Sequence, residues 1–181
     1  MAKFRSAPTA ADCWFAKAVF FWFLGTAIAA VWFVFRDPAF DYRWLCVGAL
    51  LPDAVDACFG GARALHSMTV SIGALVLVVA ASAGRKRWRK RALAVPIGMM
   101  LHLVFDGAFS ASRLFWWPVA GVHFADHPLP SVSRGWIDLP LELIGIGVLT
   151  WVWRALGLRS AQRRTMLWRT GRLEPVVVRR R

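Results

Sequence analysis

Acidic residues are scarce in this chain: ten Asp and Glu stand against 23 Lys and Arg, a formal net charge of +13 over 181 residues. Tyrosine occurs once, and cysteine three times, as Cys13, Cys46 and Cys58. An odd cysteine count without CxxC spacing excludes a disulfide framework and a zinc knuckle, and leaves the three as small apolar residues. A Walker loop, a glycine-rich nucleotide fingerprint and a Ser-His-Asp pattern are also missing, so no competing chemistry comes from those motifs. What the chain has instead is apolar surface: 58% of its residues are hydrophobic, eleven are Trp, and the mean hydropathy is +0.50. That is too apolar for an ordinary soluble domain of this length, and several runs reach membrane-spanning size. The expected class is all-α, a polytopic membrane helix bundle.

The expected bundle has four full spans and one half-depth or re-entrant helix. The first span covers Cys13 to Phe35, read as a retained span because no small-x-small site closes it as a signal peptide. After the polar connector RDPAFDYR, the run from Trp44 to Phe59 is purely apolar only as far as Pro52, about half a bilayer of helix. The second span is His66 to Ala83, the third Ala92 to about Phe109, and the last Trp136 to about Leu158. Residues 1–158 form one transmembrane domain on this reading, and 159–181 a basic cytoplasmic tail with an interfacial or partly disordered character.

Cation placement sets the expected orientation. With the termini and the RKRWRKR run (85–91) on the cytoplasmic side, only Arg36, Arg43, Arg63, Arg113 and Arg134 fall outside. The expectation is therefore a multi-pass protein of the cytoplasmic (inner) membrane, both termini cytoplasmic, with its site on the extracytoplasmic side. The basic runs orient the chain and touch anionic lipid headgroups of the inner leaflet. Nucleic-acid binding would need that charge on a folded face with readable motifs, and none is present.

Four separate stretches carry ionisable groups at matched depth. Asp53 and Asp56, in LPDAVD, are three apart and share a helical face; His66 with Ser67 opens the second span. His102 and Asp106 are four apart in the third, one turn above another, and Glu142 lies early in the fourth. Each has an ordinary explanation alone: a helix start for Asp53 or His66, a hydrogen-bonded core residue for His102, a mutual pair for His102 and Asp106. Together, three carboxylates and two imidazoles converging in apolar surroundings point to a divalent cation. Asp53, Asp56, His66, His102 and Asp106 are the candidate metal ligands and catalytic residues. Ser67, Arg113 and Glu142 are candidates for substrate binding, and Glu142 could equally pair with Arg113. His123 and His127, in the 110–135 loop, read as solvated.

In order and spacing, LLPDAVD, ALHS, GMMLHLVFDGAFS, LFWWPV and LELIG resemble the YdjM-like family of predicted membrane-bound metal-dependent hydrolases. The resemblance covers most of Leu45 to Leu149. It implies a small multi-spanning inner-membrane protein binding metal at Asp53, Asp56, His66, His102 and Asp106. This chain departs from the pattern in having Asp-x-x-Asp where many members have Asp-x-Asp-His, and GARALHS in place of an HRGxTHS stretch.

A mixed oxygen and imidazole set suits Zn²⁺ or Mn²⁺, as one or two ions. The expected function is a metal-dependent hydrolase acting on an ester or phosphoester bond of a lipid or amphiphile at the outer leaflet. The alternative is a non-catalytic membrane protein that transports or senses a divalent cation or proton.

Overall fold

The computed structural model of the chain describes residues 19–36, 40–123 and 134–172. The start of the expected first span from Cys13, the loop residues 124–133 with His127, and the tail beyond 172 lie outside the described residues. Among the described residues the fold is all-α, as expected. Seven α-helices are present: α1 (Phe20–Phe35), α2 (Tyr42–Asp56), α3 (Met68–Ala81), α4 (Lys86–Phe105), the single turn α5 (Ser112–Phe115), α6 (Asp138–Ala155) and α7 (Ala161–Thr170).

Five of these form the body. At one end Trp22 Nε1 donates to the Phe105 carbonyl at 3.3 Å, and the Phe23 ring lies 4.0 Å from the His102 ring. The start of α1 is thus joined to the finish of α4. The Glu142 carboxylate accepts the Phe21 N–H at 3.1 and 3.0 Å, so α6 starts at this end too. At the other end Arg91, early in α4, reaches Asp41, just before α2, at 3.6 Å. α2 and α4 therefore run together toward the first end, while α1, α3 and α6 run away from it.

Glycine sets how closely these helices cross. A Cβ at Gly98 of α4 would stand 2.4 Å from the Leu45 carbonyl oxygen and 2.7 Å from the Ala49 nitrogen of α2. At Gly48 it would meet the Val95 carbonyl oxygen at 2.1 Å, so the two backbones touch with nothing between them. Gly25 and Gly145 make the same kind of crossing between α1 and α6. Leu45, Ala49, Ala94, Ala27, Val31 and Val152 fill the core around these crossings.

Two expectations about path are corrected. The half-depth helix is a regular α2 of 15 residues, comparable with α1 (16) and α3 (14), and it packs along α4 through the Gly48–Gly98 contact. The connector holding Arg36 and Arg43 lies at the end opposite the acidic and imidazole groups, because α1 begins beside Phe105 and finishes away from it. Arg43 thus joins Arg91 around Asp41 rather than standing near Asp53. Part of the expected tail is also docked. Tyr42 N–H donates to the Gly171 carbonyl at 2.8 Å and Arg43 Nη1 to the Trp168 carbonyl at 2.7 Å, which fixes α7 against the start of α2.

No helix among the described residues is long and apolar enough to cross a membrane. The reason differs by helix. α1 and α3 span only about 24 and 21 Å, α4 spends its first turns on the basic KRWRKR run, and α6 carries Asp138, Glu142 and Arg154.

The glycine crossing makes a direct prediction. Gly98→Ala should lower stability by about 1–3 kcal/mol, because a methyl is forced against backbone. Gly73→Ala in α3, where a Cβ meets nothing within 4 Å, should be neutral or raise it by up to about 1 kcal/mol. Thermal unfolding of both variants beside the parent measures the difference.

Candidate metal centre

The site lies at the end of the bundle where α2 and α4 finish. Pro52 sits one position before Asp53, inside α2. The helix nevertheless continues to Asp56, where the 3₁₀ turn Ala57–Phe59 and then Gly60, at φ 83°, turn the chain back. A second 3₁₀ turn, Ala64–His66, delivers His66 under the finish of α2. Left-handed backbone at Gly60 is tolerated because glycine has no Cβ. The loop thus folds His66 onto the helix that carries Asp56.

Asp56 is almost fully buried, and its Oδ2 accepts the Arg63 N–H at 2.8 Å, the His66 N–H at 3.2 Å and the His66 Nδ1–H at 2.7 Å. A carboxylate can only accept here, so His66 carries a proton on Nδ1 and turns Nε2 toward Asp53. His102 is arranged in the same sense by a different acceptor. Its Nδ1 donates to the Ala49 carbonyl at 2.7 Å, across the helix contact set by Gly48 and Gly98. A carbonyl has no proton to give, so His102 also keeps its Nδ1–H and presents Nε2.

Both Nε2 atoms meet Asp53. Its Oδ1 is 3.2 Å from His66 Nε2 and 3.5 Å from His102 Nε2, and both rings are fully buried. The two rings stand 5.4 Å apart, nearly perpendicular. With both Nδ1 protons committed, three acceptors face one another, and that arrangement requires a cation or a further proton between them. His102 Nε2 has no hydrogen-bond partner among the described residues, the condition expected of an atom kept for a ligand. The ligand atoms of Asp53, His66 and His102 all lie within 4.8 Å of one another, so the three could hold a metal ion. A tetrahedral ion with arms of about 2.0–2.1 Å sets its ligands roughly 3.3–3.4 Å apart. The two distances to Asp53 straddle that value.

The other candidates are placed differently. Asp56 stands behind His66 rather than in the ligand group, where it fixes the imidazole's tautomer and orientation. Asp106 follows one turn above His102 and pairs through Oδ1 with Arg134. Ser67 is fully buried, and its hydroxyl lies 2.5 Å from the Trp117 carbonyl and 3.2 Å from that of Phe115. It orders the turn after α5 instead of facing a substrate. Glu142 accepts from the Phe21 N–H at the start of α1 and makes no pair with Arg113. Arg113 is exposed on α5, and His123 is exposed.

Two participants carry no sequence signal of their own. The Ala49 carbonyl is backbone, marked only by its place one turn before Asp53. Arg134 is one of two cations between residues 110 and 135, and nothing in the sequence marks it.

Asp56→Ala should cost about 2–4 kcal/mol of stability without added metal, since it strands three buried donors. Asp53→Ala should cost less than Asp56→Ala, because Asp53 meets only the two Nε2 atoms and whatever proton they share. Chemical denaturation of metal-stripped protein separates the two. Comparison with known proteins supplies no relative: no family model, curated protein or solved structure matches this chain.

Proposed function

We propose that the chain is a membrane-embedded, metal-dependent hydrolase acting on an ester or phosphoester bond of a lipid or amphiphile. Asp53, His66 and His102 hold one divalent ion, Zn²⁺ or Mn²⁺. The observation that carries this reading is the opposed pair of hydrogen bonds on the histidines. With Nδ1 of His66 on Asp56 and Nδ1 of His102 on Ala49, both Nε2 lone pairs are aimed at Asp53 Oδ1. A proton shared among them would satisfy the local charge, but it would leave unexplained why two rings from separate elements are pre-set for ligation. When bound, such an ion would supply Lewis acidity and lower the pKa of a coordinated water. The chain's own residues contribute the three ligands, the orienting carboxylate Asp56, and the Phe23 ring, which covers His102 and helps keep bulk water from it.

Support for the membrane setting comes from the surface. Phe20, Phe21, Phe33, Val76, Leu77 and Ile144 are among many large apolar side chains left exposed on α1, α3 and α6. A surface of that kind is expected where hydrocarbon is the solvent. The close glycine crossings also fit membrane packing, where backbones approach through small residues. Arg36, Arg43, the 85–91 run and α7 share the end away from the site, which the positive-inside rule would place in the cytoplasm with the site extracytoplasmic. Anionic headgroups of the inner leaflet would meet that basic end.

Purified protein should hold one divalent ion per chain by elemental analysis, and His102→Ala should hold less than a tenth of that. Asp56→Asn should weaken the ion about 10–100-fold without abolishing it. Carbonate washing should leave the parent in the membrane fraction. A parent with no bound metal after growth in Zn²⁺ and Mn²⁺ would sink the hydrolase reading.

A further inference from the structure

One buried polar atom near the site is not explained by the three ligands. The Asp106 side chain is wholly buried, and its Oδ2 has no hydrogen-bond partner among the described residues. The partner oxygen is firmly held: Arg134 Nη2 donates to Asp106 Oδ1 and, at 2.5 Å, to the Asp106 backbone carbonyl. Gripping one carboxylate oxygen and the main chain together fixes the plane of the group. It leaves Oδ2 as the single free corner.

The free corner belongs to the site by position. Asp106 is four residues beyond His102, and its N–H donates to the His102 carbonyl at 2.8 Å, so its side chain stands one turn further along the same face. Neither of its oxygens falls within the ligand group of Asp53, His66 and His102, whose atoms all lie within 4.8 Å of one another. A buried carboxylate oxygen without a donor is rare, and no described residue donates to this one. A protic ligand on a bound ion would bring such a donor to this end of α4.

We propose that Asp106 Oδ2 is the acceptor that selects and orients the ion's exchangeable ligand. It favours oxygen ligands carrying an O–H or N–H beside the metal-binding atom over anions that carry no donor, and Arg134 is its positioning residue. This rests on the ion reading above. The ligand class that follows is protic: water, and substrate groups such as hydroxyls, amides or hydroxamates.

The experiment uses full-length protein loaded with Co²⁺ and titrated, by visible absorption, with acetohydroxamate (metal-binding oxygens plus a donor) and with azide (no donor). In Asp106→Asn the side-chain carbonyl should turn to Arg134 and the amide NH₂ to the ligand, donor facing donor. Cobalt should stay at one per chain, acetohydroxamate should bind at least tenfold more weakly, and azide as well as in the parent or better. Arg134→Gln should shift both ligands in the same directions by less, with cobalt retained. Unchanged acetohydroxamate affinity in Asp106→Asn would overturn the proposal. Loss of cobalt from that variant would also overturn it, by making Asp106 a metal ligand. A variant that fails to fold transfers the comparison to Arg134→Gln, where an acetohydroxamate affinity unchanged from the parent again overturns it. A parent that takes up no cobalt defeats the ion reading itself, and this one with it.

Discussion

Two helices that touch backbone to backbone make the rest of this structure possible. At Gly48 and Gly98, α2 and α4 approach until a single methyl would collide with main-chain atoms. Only at that separation can a ring on α4 donate to a carbonyl of α2, as His102 does to Ala49. The same contact sets the finish of α2 level with the finish of α4, and so sets Asp53 beside His102. Widening the crossing would separate the carboxylate from the ring and release the Nδ1 proton that gives the ring its orientation.

The site then works as a set of nested hydrogen bonds. The inner atoms, Asp53 Oδ1 and the two Nε2, stabilise one another only with a proton or a cation between them. Stability at this end comes from the layer behind them: Asp56 collecting three N–H groups, Ser67 meeting two carbonyls, and Glu142 closing the start of α1. That division has a physical logic. Groups that fold the end are satisfied internally, while groups that face the centre are left with unspent capacity, which only a ligand can use.

Legibility in the sequence followed the kind of information involved. Spacing put His102 and Asp106 on one face, and Asp53 and Asp56 on another, and both pairs do lie at one end of the bundle. Spacing could not say which carboxylate of each pair would turn inward. Asp56 is diverted because the 57–66 loop, turned at Gly60, brings three donors to it. Asp106 is diverted because Arg134, 28 residues later, reaches it. The sequence singled out Arg113, yet it is Arg134 that reaches Asp106, and only the path of the chain into α6 distinguishes the two.

By itself the sequence determined the helical class and the short list of residues able to meet an ion. These are properties of composition and period, which act within a turn or two of helix. Tertiary structure decided the direction of α1, and hence the end to which Arg36 and Arg43 belong. It also decided which acceptor holds each imidazole and which three side chains converge. Those outcomes depend on contacts between segments tens of residues apart, and no local pattern encodes the distance at which two backbones meet.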